Sequence, residues 1–390
     1  MRSTTRHISL FTAAALAGAS LVALPAAAQD IKLPTTLTFT AYDTGTSGFN
    51  IAVGVGKVLK DKYGSDVRVL PAGNDVARLA PLRAGRAVLS WMGTGVYFAQ
   101  EGVFEFGAKE WGPQPLQMTL STLDCNGLSV GVAKDVGIKE WKEFKGKRLG
   151  FVVGSPALNQ NALAIIAYGG LTQKDVKIVE FASYGAMWKG MVNNDVDGAF
   201  ASTVTGPAKE VESSPRGIMW PPLPPEDKAA WERVKKIGAF FNPHLTTCGA
   251  AIEASKPQQL AAYPYPIATT MGTVPADQIY SLTKAMIAGY DGYKDAAPGS
   301  SGLEAKRQTK QWVIPFHPGA AKALKEAGNW TDADETYNNN LIKRQGVLMA
   351  AWTAYNTASA PAEADKFLAG WMAARKAALT KANMPDGFEN

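Results

Sequence analysis

The chain has 390 residues, 46% of them apolar, with 40 basic against 34 acidic side chains and two cysteines. That length suits two domains or one large bilobed one, and the apolar share is ample for real cores. The charge surplus is mild, and there is no Lys/Arg run or basic stripe with interleaved aromatics, which argues against a nucleic-acid partner.

The first 28 residues read as a leader. A basic start, MRSTTRH, precedes the apolar stretch ISLFTAAALAGASLVAL, and PAAAQD places small residues just before a cut after Ala28. The stretch is about 17 residues long, the low edge for a membrane span, and rich in Ala and Gly. A secretory signal peptide therefore fits better than an anchor. No later segment has a long uninterrupted apolar run, so the mature chain is expected to be soluble and exported. Loss of Arg2 and Arg6 leaves 38 basic residues against 34 acidic ones, a surplus of 4 that favours an anionic small ligand only weakly.

After the leader, strand-like and helix-like segments alternate. The period-two run 37–42 predicts a strand and 48–60 a helix. Strand 66–70, helix 75–84 and strand 87–93 follow, then strands 115–122 and 127–134. Strand 146–153 leads into helix 156–169, strand 175–181 into helix 184–193, and 198–203 is a further strand. Repeated β-α-β order predicts α/β lobes with mostly parallel sheets. WPPLPPED (220–227) is the sharpest break, since four prolines in six residues fit neither a helix nor a central strand. A short helix is expected from Asp227, and YPYPIATTMG (263–272) leads into a strand. The C-terminal third reads as helical. Thr331 and Asp334 sketch a capping box, with Leu341, Leu348, Trp352 and Tyr355 on one face. Ser359 and Pro361 open another helix, with Leu368, Trp371, Met372 and Leu379 on its stripe. Such stripes are core far more often than cofactor contacts.

The turn between the first strand and helix, Asp43-Thr-Gly-Thr-Ser-Gly48, carries the chemistry. A helix begins with about four backbone N–H groups that lack partners inside it, at the positive end of its dipole. Thr44, Thr46 and Ser47 add hydroxyl donors, and Gly45 and Gly48 let an anion approach. A Ser or Thr here also serves as a plain cap. The arrangement recurs, however. Strand 148–153 runs into Gly154, Ser155, Pro156 and Ala157, and a strand ending at Ser202 and Thr203 precedes a helix near Pro207. WMGTG (91–95) is a fourth such turn, with Thr94 as a donor and Trp91 as a candidate apolar wall. Hydroxyl-rich turns at strand ends from two halves of the chain predict one cleft gripping one ligand from both sides. Asn74, Asp75 and Arg78 begin another helix. Arg78 suits a ligand carboxylate, and equally suits Asp75 one turn earlier.

Catalytic signatures are missing. There is no G-x-S-x-G elbow, P-loop or H-E-x-x-H, and the carboxylate pairs Asp332/Asp334 and Asp195/Asp197 lie in polar segments. His244 and His317 lack neighbours at metal-ligand spacing, so no metal or other cofactor is expected. Cys125 and Cys248 read either as two separate thiols or as one disulfide closing a very long loop, which would stabilise the fold by roughly 5 kcal/mol through chain entropy.

Several stretches resemble the TAXI family of extracytoplasmic solute receptors that serve TRAP transporters. They are YDTGTSGFNIAVGVGKVLKDKY, GNDVARLAPLRAGRAVLSW, EWKEFKGKRLGFVVGSPALNQNA, GGLTQKDVKIVEFASYGAMWKGMVNNDVDGAFAST and IPFHPGAAKALKEAG. The chain departs from the family at Asp43 and Ser47, where glycine or another small residue is usual, and at YPYP, where many members have Tyr-Pro-Gly. Tyr265 of that turn joins the candidate ligand contacts.

The resemblance implies an α/β, type II periplasmic-binding-protein fold, two lobes joined by a two-strand hinge with extra C-terminal helices. Lobe one would span 33–131 plus 267–330, lobe two 132–266, and the helices of 331–390 would pack on lobe one. It also implies a periplasmic, non-enzymatic receptor for a small carboxylate (a dicarboxylate, an oxoacid or an acidic amino acid), delivered to an ion-gradient-driven TRAP permease without ATP. His317 would then begin a helix in a structural turn. The alternative is the binding protein of an ABC importer for a sulfonate or pyrimidine precursor. An exported hydrolase using Ser155 and His317 is the remaining reading.

Overall fold

The computed structural model describes Met1 and residues 31–358 and 360–388, so the leader expected at 1–28 and the helix opening assigned to Ser359 lie outside the described residues. In chain order, β1 (Thr36–Tyr42), α1 (Ser47–Tyr63), β2 (Asp66–Ala72), α2 (Asp75–Arg83), β3 (Leu89–Met92), α3 (Gly95–Glu101) and β4 (Leu116–Ser121) come first. The middle contains β5 (Leu128–Ala133), β6 (Arg148–Val152), α4 (Pro156–Ala167), β7 (Lys177–Phe181), α5 (Tyr184–Val192), β8 (Gly198–Ser202) and α6 (Gly206–Ser213). It continues through β9 (Ile218–Met219), α7 (Lys228–Ile237), β10 (Asn242–Thr246) and β11 (Gln258–Ala262). The chain then returns in β12 (Ile267–Met271), α8 (Ala276–Ala288), α9 (Tyr290–Tyr293), α10 (Pro318–Glu326), α11 (Asp332–Thr357) and α12 (Ala364–Lys381).

The local chemistry explains these elements. β1 buries Leu37, Phe39 and Ala41 on alternate positions, the period of a strand. α1 buries Ile51, Ala52, Val55, Val58 and Leu59, and it stops at Gly64, whose left-handed φ of 68° lets its N–H reach the carbonyls of Leu59 and Lys60. The expected capping box is present: Thr331 accepts from Asp334 N–H while the Asp334 carboxylate accepts from Thr331 N–H. α12 starts at Ala364, later than its stripe suggests, after an exposed Pro361.

Two sheets organise the molecule. The first has the order β2-β1-β3-β12-β4, with β1 parallel to β2 and β3, and β12 antiparallel to β3 and β4. The second has the order β10-β11-β5-β8-β6-β7, with β9 also on β5. There β6 is parallel to β7 and β8, and β5 runs against β8. The parallel core of each sheet is thus closed by a strand that has just crossed from the other. The crossings lie at 122–127, between β4 and β5, and at 263–266, between β11 and β12. They are bonded to each other, Tyr265 N–H to Thr122 C=O at 2.6 Å and Thr122 N–H to Pro266 C=O at 3.0 Å. Cys125, in the first crossing, is joined by a disulfide to Cys248 of the segment after β10.

α11 and α12 pack on the first lobe through polar groups as much as apolar ones. The fully buried Glu101 at the end of α3 receives Arg344 of α11 at 2.7 Å on each oxygen, and Arg375 of α12 as well. Trp371 N–H reaches the Gly102 carbonyl at 2.6 Å, and its ring meets Trp352 edge-on at 4.8 Å between centroids. Of the apolar face expected on α11, only Leu348 is fully buried. The rest of its buried surface is Asp334, Asn338, Arg344 and Gln345.

Candidate functional site

The C-terminal ends of β1 and β3 in the first lobe face the starts of α4 and α5 in the second. Between them lies a cavity of about 20 Å³, space for about one water. Its walls are largely aromatic: Tyr42, Tyr184, Phe200, Tyr263 and Tyr265, with Arg78, Asn161 and Ser202 as polar members. Tyr42 and Tyr184 stack across the cleft at 5.2 Å between centroids. Burial pushes the phenols of Tyr42, Tyr184, Tyr263 and Tyr265 up from their ordinary values, so they remain neutral hydrogen-bonding groups.

Asp75 is the centre of the arrangement. It is fully buried, as is Arg78 one turn along α2. One carboxylate oxygen accepts from Tyr42 O–H at 2.7 Å and from the Arg78 guanidinium, and the other accepts from Ala157 N–H at 2.8 Å. That last donor is in the first turn of α4, on the opposite lobe. A carboxylate therefore sits where the positive end of a helix dipole and an arginine converge. Arg78 also donates to the Trp91 carbonyl at 2.7 Å and lies 3.3 Å over the Tyr42 ring. Burial works against its charge, and the neighbouring Asp75 carboxylate opposes that and helps to hold its pKa up. Its Nε makes no hydrogen bond in the protein.

The predicted residues separate into three groups. Arg78, Ala157, Ser202 and Tyr265 line the cavity. A second group borders it or bridges the lobes. Ser155 shares a 2.8 Å hydrogen bond with Tyr42 O–H, and Thr94 donates to Asn161 at 3.2 Å. The Gly154 carbonyl accepts from Val76 N–H at 3.1 Å, and that of Gly45 from Gly206 N–H at 3.2 Å. Ser47 is buried, with its hydroxyl beside the Tyr265 phenol.

The third group does not line the cavity. Thr46 is the buried N-cap residue of α1, but its side chain makes no capping bond. Thr44 is exposed in the turn. Asn74 caps α2 by accepting from Ala77 N–H at 2.8 Å. Trp91 is buried in the first lobe, with its Cβ towards Gly48, and is not part of the cavity wall. Thr203 donates to the Cys248 carbonyl at 2.8 Å, tying β8 to the disulfide loop. His317, with Nδ1 accepting from Gly319 N–H at 3.2 Å, caps α10.

Sequence reasoning missed Tyr42, Tyr184, Tyr263 and Asn161 as members of the wall, and weighed Asp75 only as a partner for Arg78. The available signal was positional: Tyr42 ends a strand and Tyr184 begins a helix, the same strand-edge logic that picked out the hydroxyls. A larger open groove of about 500 Å³ lies between α11 and 382–387. Arg344 there is already bonded to Glu101, and no donor from the second lobe reaches it.

Two α/β lobes with this strand order, joined by two crossings and facing each other across a polar-aromatic cleft, define the type II fold of periplasmic solute-binding proteins. The chain belongs to the NMT1-like family, which it matches over residues 39–328. Among solved structures it is similar to the alkanesulfonate-binding protein of Xanthomonas axonopodis pv. citri bound to MOPS, at 15% identity and a TM-score of 0.39, covering 82% of this chain and 98% of that one. It is also similar to an amino-acid ABC-transporter substrate-binding protein of Streptococcus pneumoniae bound to L-arginine, at 11% identity and a TM-score of 0.40, covering 69% and 97%. Among the described residues no helix is long and apolar enough to cross a membrane.

Proposed function

We propose that the protein is a receptor that captures a small organic acid between its lobes and delivers it to an ion-gradient-driven permease of the TRAP class. The observation that carries this reading is the environment of Asp75: a carboxylate held jointly by Arg78 and Tyr42 of one lobe and by Ala157 N–H of the other. Those donors suit a ligand carboxylate equally well, and Arg78 Nε is a further donor that no protein group uses. The TRAP assignment is supported by the sequence resemblance to TAXI receptors.

The cavity as it stands has room for about one water. A dicarboxylate or amino acid therefore enters with the lobes apart, and closure follows as donors from both sides reach it. Only affinity that differs between open and closed forms drives that change. Each charge-assisted hydrogen bond contributes roughly 1.5–3 kcal/mol, so about three to five net contacts reach micromolar binding, near −8 kcal/mol.

Native mass spectrometry of the purified protein, followed by a thermal-shift screen of dicarboxylates, oxoacids and amino acids, tests the reading. The expected result is stabilisation by one class of carboxylate, growing with concentration beyond the dissociation constant. No stabilisation by any of them at millimolar concentration counts against it. Stabilisation by sulfonates or pyrimidines alone would favour an ABC importer instead.

A further inference from the structure

We infer that Asp43 is a clasp that holds the two lobes together without contacting the ligand, and so sets affinity from outside the cavity. This rests on the receptor reading above, in which the lobes move apart. Asp43 lies in the turn after β1 and is not part of the cavity wall. Its carboxylate accepts from Gly185 N–H at 2.8 Å, in the first turn of α5 on the other lobe.

The start of α5 is built around this contact. Of its leading N–H groups, Tyr184 donates across the cleft to the Gly73 carbonyl at 2.9 Å, Gly185 to Asp43, and Ala186 to its own cap Ser183 at 3.1 Å. Two of the three are thus satisfied only by the opposite lobe. A Cβ on Gly185 would lie 3.1 Å from the Asp43 carboxylate, and one on Gly73 only 2.5 Å from Ser183 Cβ. The absence of side chains at both points is what permits the approach. A carboxylate at the positive end of a nine-residue helix makes a charge-assisted hydrogen bond. In an open form that bond is exchanged for water, so the contact favours closure specifically. Asp75 makes the equivalent contact with α4, but it lines up with the cavity's own donors. Asp43 does not, and it acts as a positioning residue.

The test uses spin labels at Val53→Cys on α1 and Lys189→Cys on α5, both exposed, with inter-label distances measured in the full mature protein without added ligand. The expected result is a closed population in the parent that Asp43→Ala shifts towards a longer distance, changing the open-to-closed ratio about tenfold or more. Gly185→Ala pushes on the same carboxylate from the other side and should give a similar shift that does not add to the first. Ser183→Ala weakens the α5 cap within one lobe and should leave the distribution unchanged. Two distances whose ratio Asp43→Ala leaves alone would overturn the clasp only, as would a parent found wholly at the longer distance. A single short distance in the parent and every variant would mean that the lobes do not separate, and would overturn both the clasp and the receptor reading.

Discussion

Replacing Asp75 with Ala separates a closed cleft from an open one by stability alone. In the structure both Asp75 and Arg78 are about 1% exposed or less. Removing the carboxylate leaves a buried guanidinium without its counter-charge, which costs roughly 3–5 kcal/mol. Ala157 N–H also loses its only acceptor here, and an unsatisfied buried donor adds about 1 kcal/mol or more. Tyr42 keeps Ser155 as a partner and adds little. The expected loss is therefore at least about 3 kcal/mol in urea unfolding monitored by tryptophan fluorescence. If the cleft stood open in solution, the same pair would be wetted and worth only about 0.2–1 kcal/mol. The double change Asp75→Leu with Arg78→Met removes both charges, and should recover most of the loss, because an apolar pair of similar volume often replaces a buried ion pair without penalty. A single-variant loss below about 1 kcal/mol, or a double variant as unstable as the sum of the singles, would refute the reasoning.

Glu101→Ala leaves Arg344 and Arg375 facing each other without their shared anion, and should cost at least about 3 kcal/mol and loosen α11 and α12 first, measured by hydrogen exchange. Cys125→Ser with Cys248→Ser opens a loop of 123 residues, and should lower stability by up to about 5 kcal/mol in calorimetry under oxidising conditions. Burial lowers the pKa of His317, against a partial opposing effect of the Val274 carbonyl. Its folded value therefore lies below the unfolded value of about 6.5, so the stabilisation is complete above that pH and is lost as pH falls towards the folded value. His317→Asn keeps a capping acceptor and should flatten the fall in stability below about pH 6.5 in urea titrations.

Much of the fold was legible because its strands and helices carry the period of their burial. β1, α1, β6 and α4 follow directly from alternating or helical apolar spacing and from glycines placed at helix ends. β10 and β11 were missed because the exposed Asn242 and Pro243 and the half-buried Gln258 interrupt any apolar pattern, and tertiary pairing alone defines them. The polar faces of α11 were unreadable for a related reason. Arg344 and Gln345 are buried only because Glu101 and Gln100 await them on a helix more than 240 residues away. For the candidate site, strand-end turns pointed to the edge at which the cavity lies, since helix starts expose unpaired N–H groups wherever the sheet ends. Which hydroxyls reach the cleft depends on orientation: Ser202 lines the cavity and Ser155 meets Tyr42 across it, whereas Thr203 bonds the Cys248 carbonyl and the Thr46 hydroxyl makes no hydrogen bond in the protein. The role of Asp75 was hidden by ambiguity: spacing allows its pairing with Arg78, but nothing local reveals the α4 amide across the cleft.

A structure of the protein with its bound solute tests the central claim most directly. The account predicts a ligand oxygen within about 3 Å of an Arg78 nitrogen, with Ala157 or another start-of-α4 donor on the same solute and the ring of Tyr184 against it. A solute held by one lobe alone, or seated in the groove beside α11 with the Asp75 cavity unchanged, would contradict it.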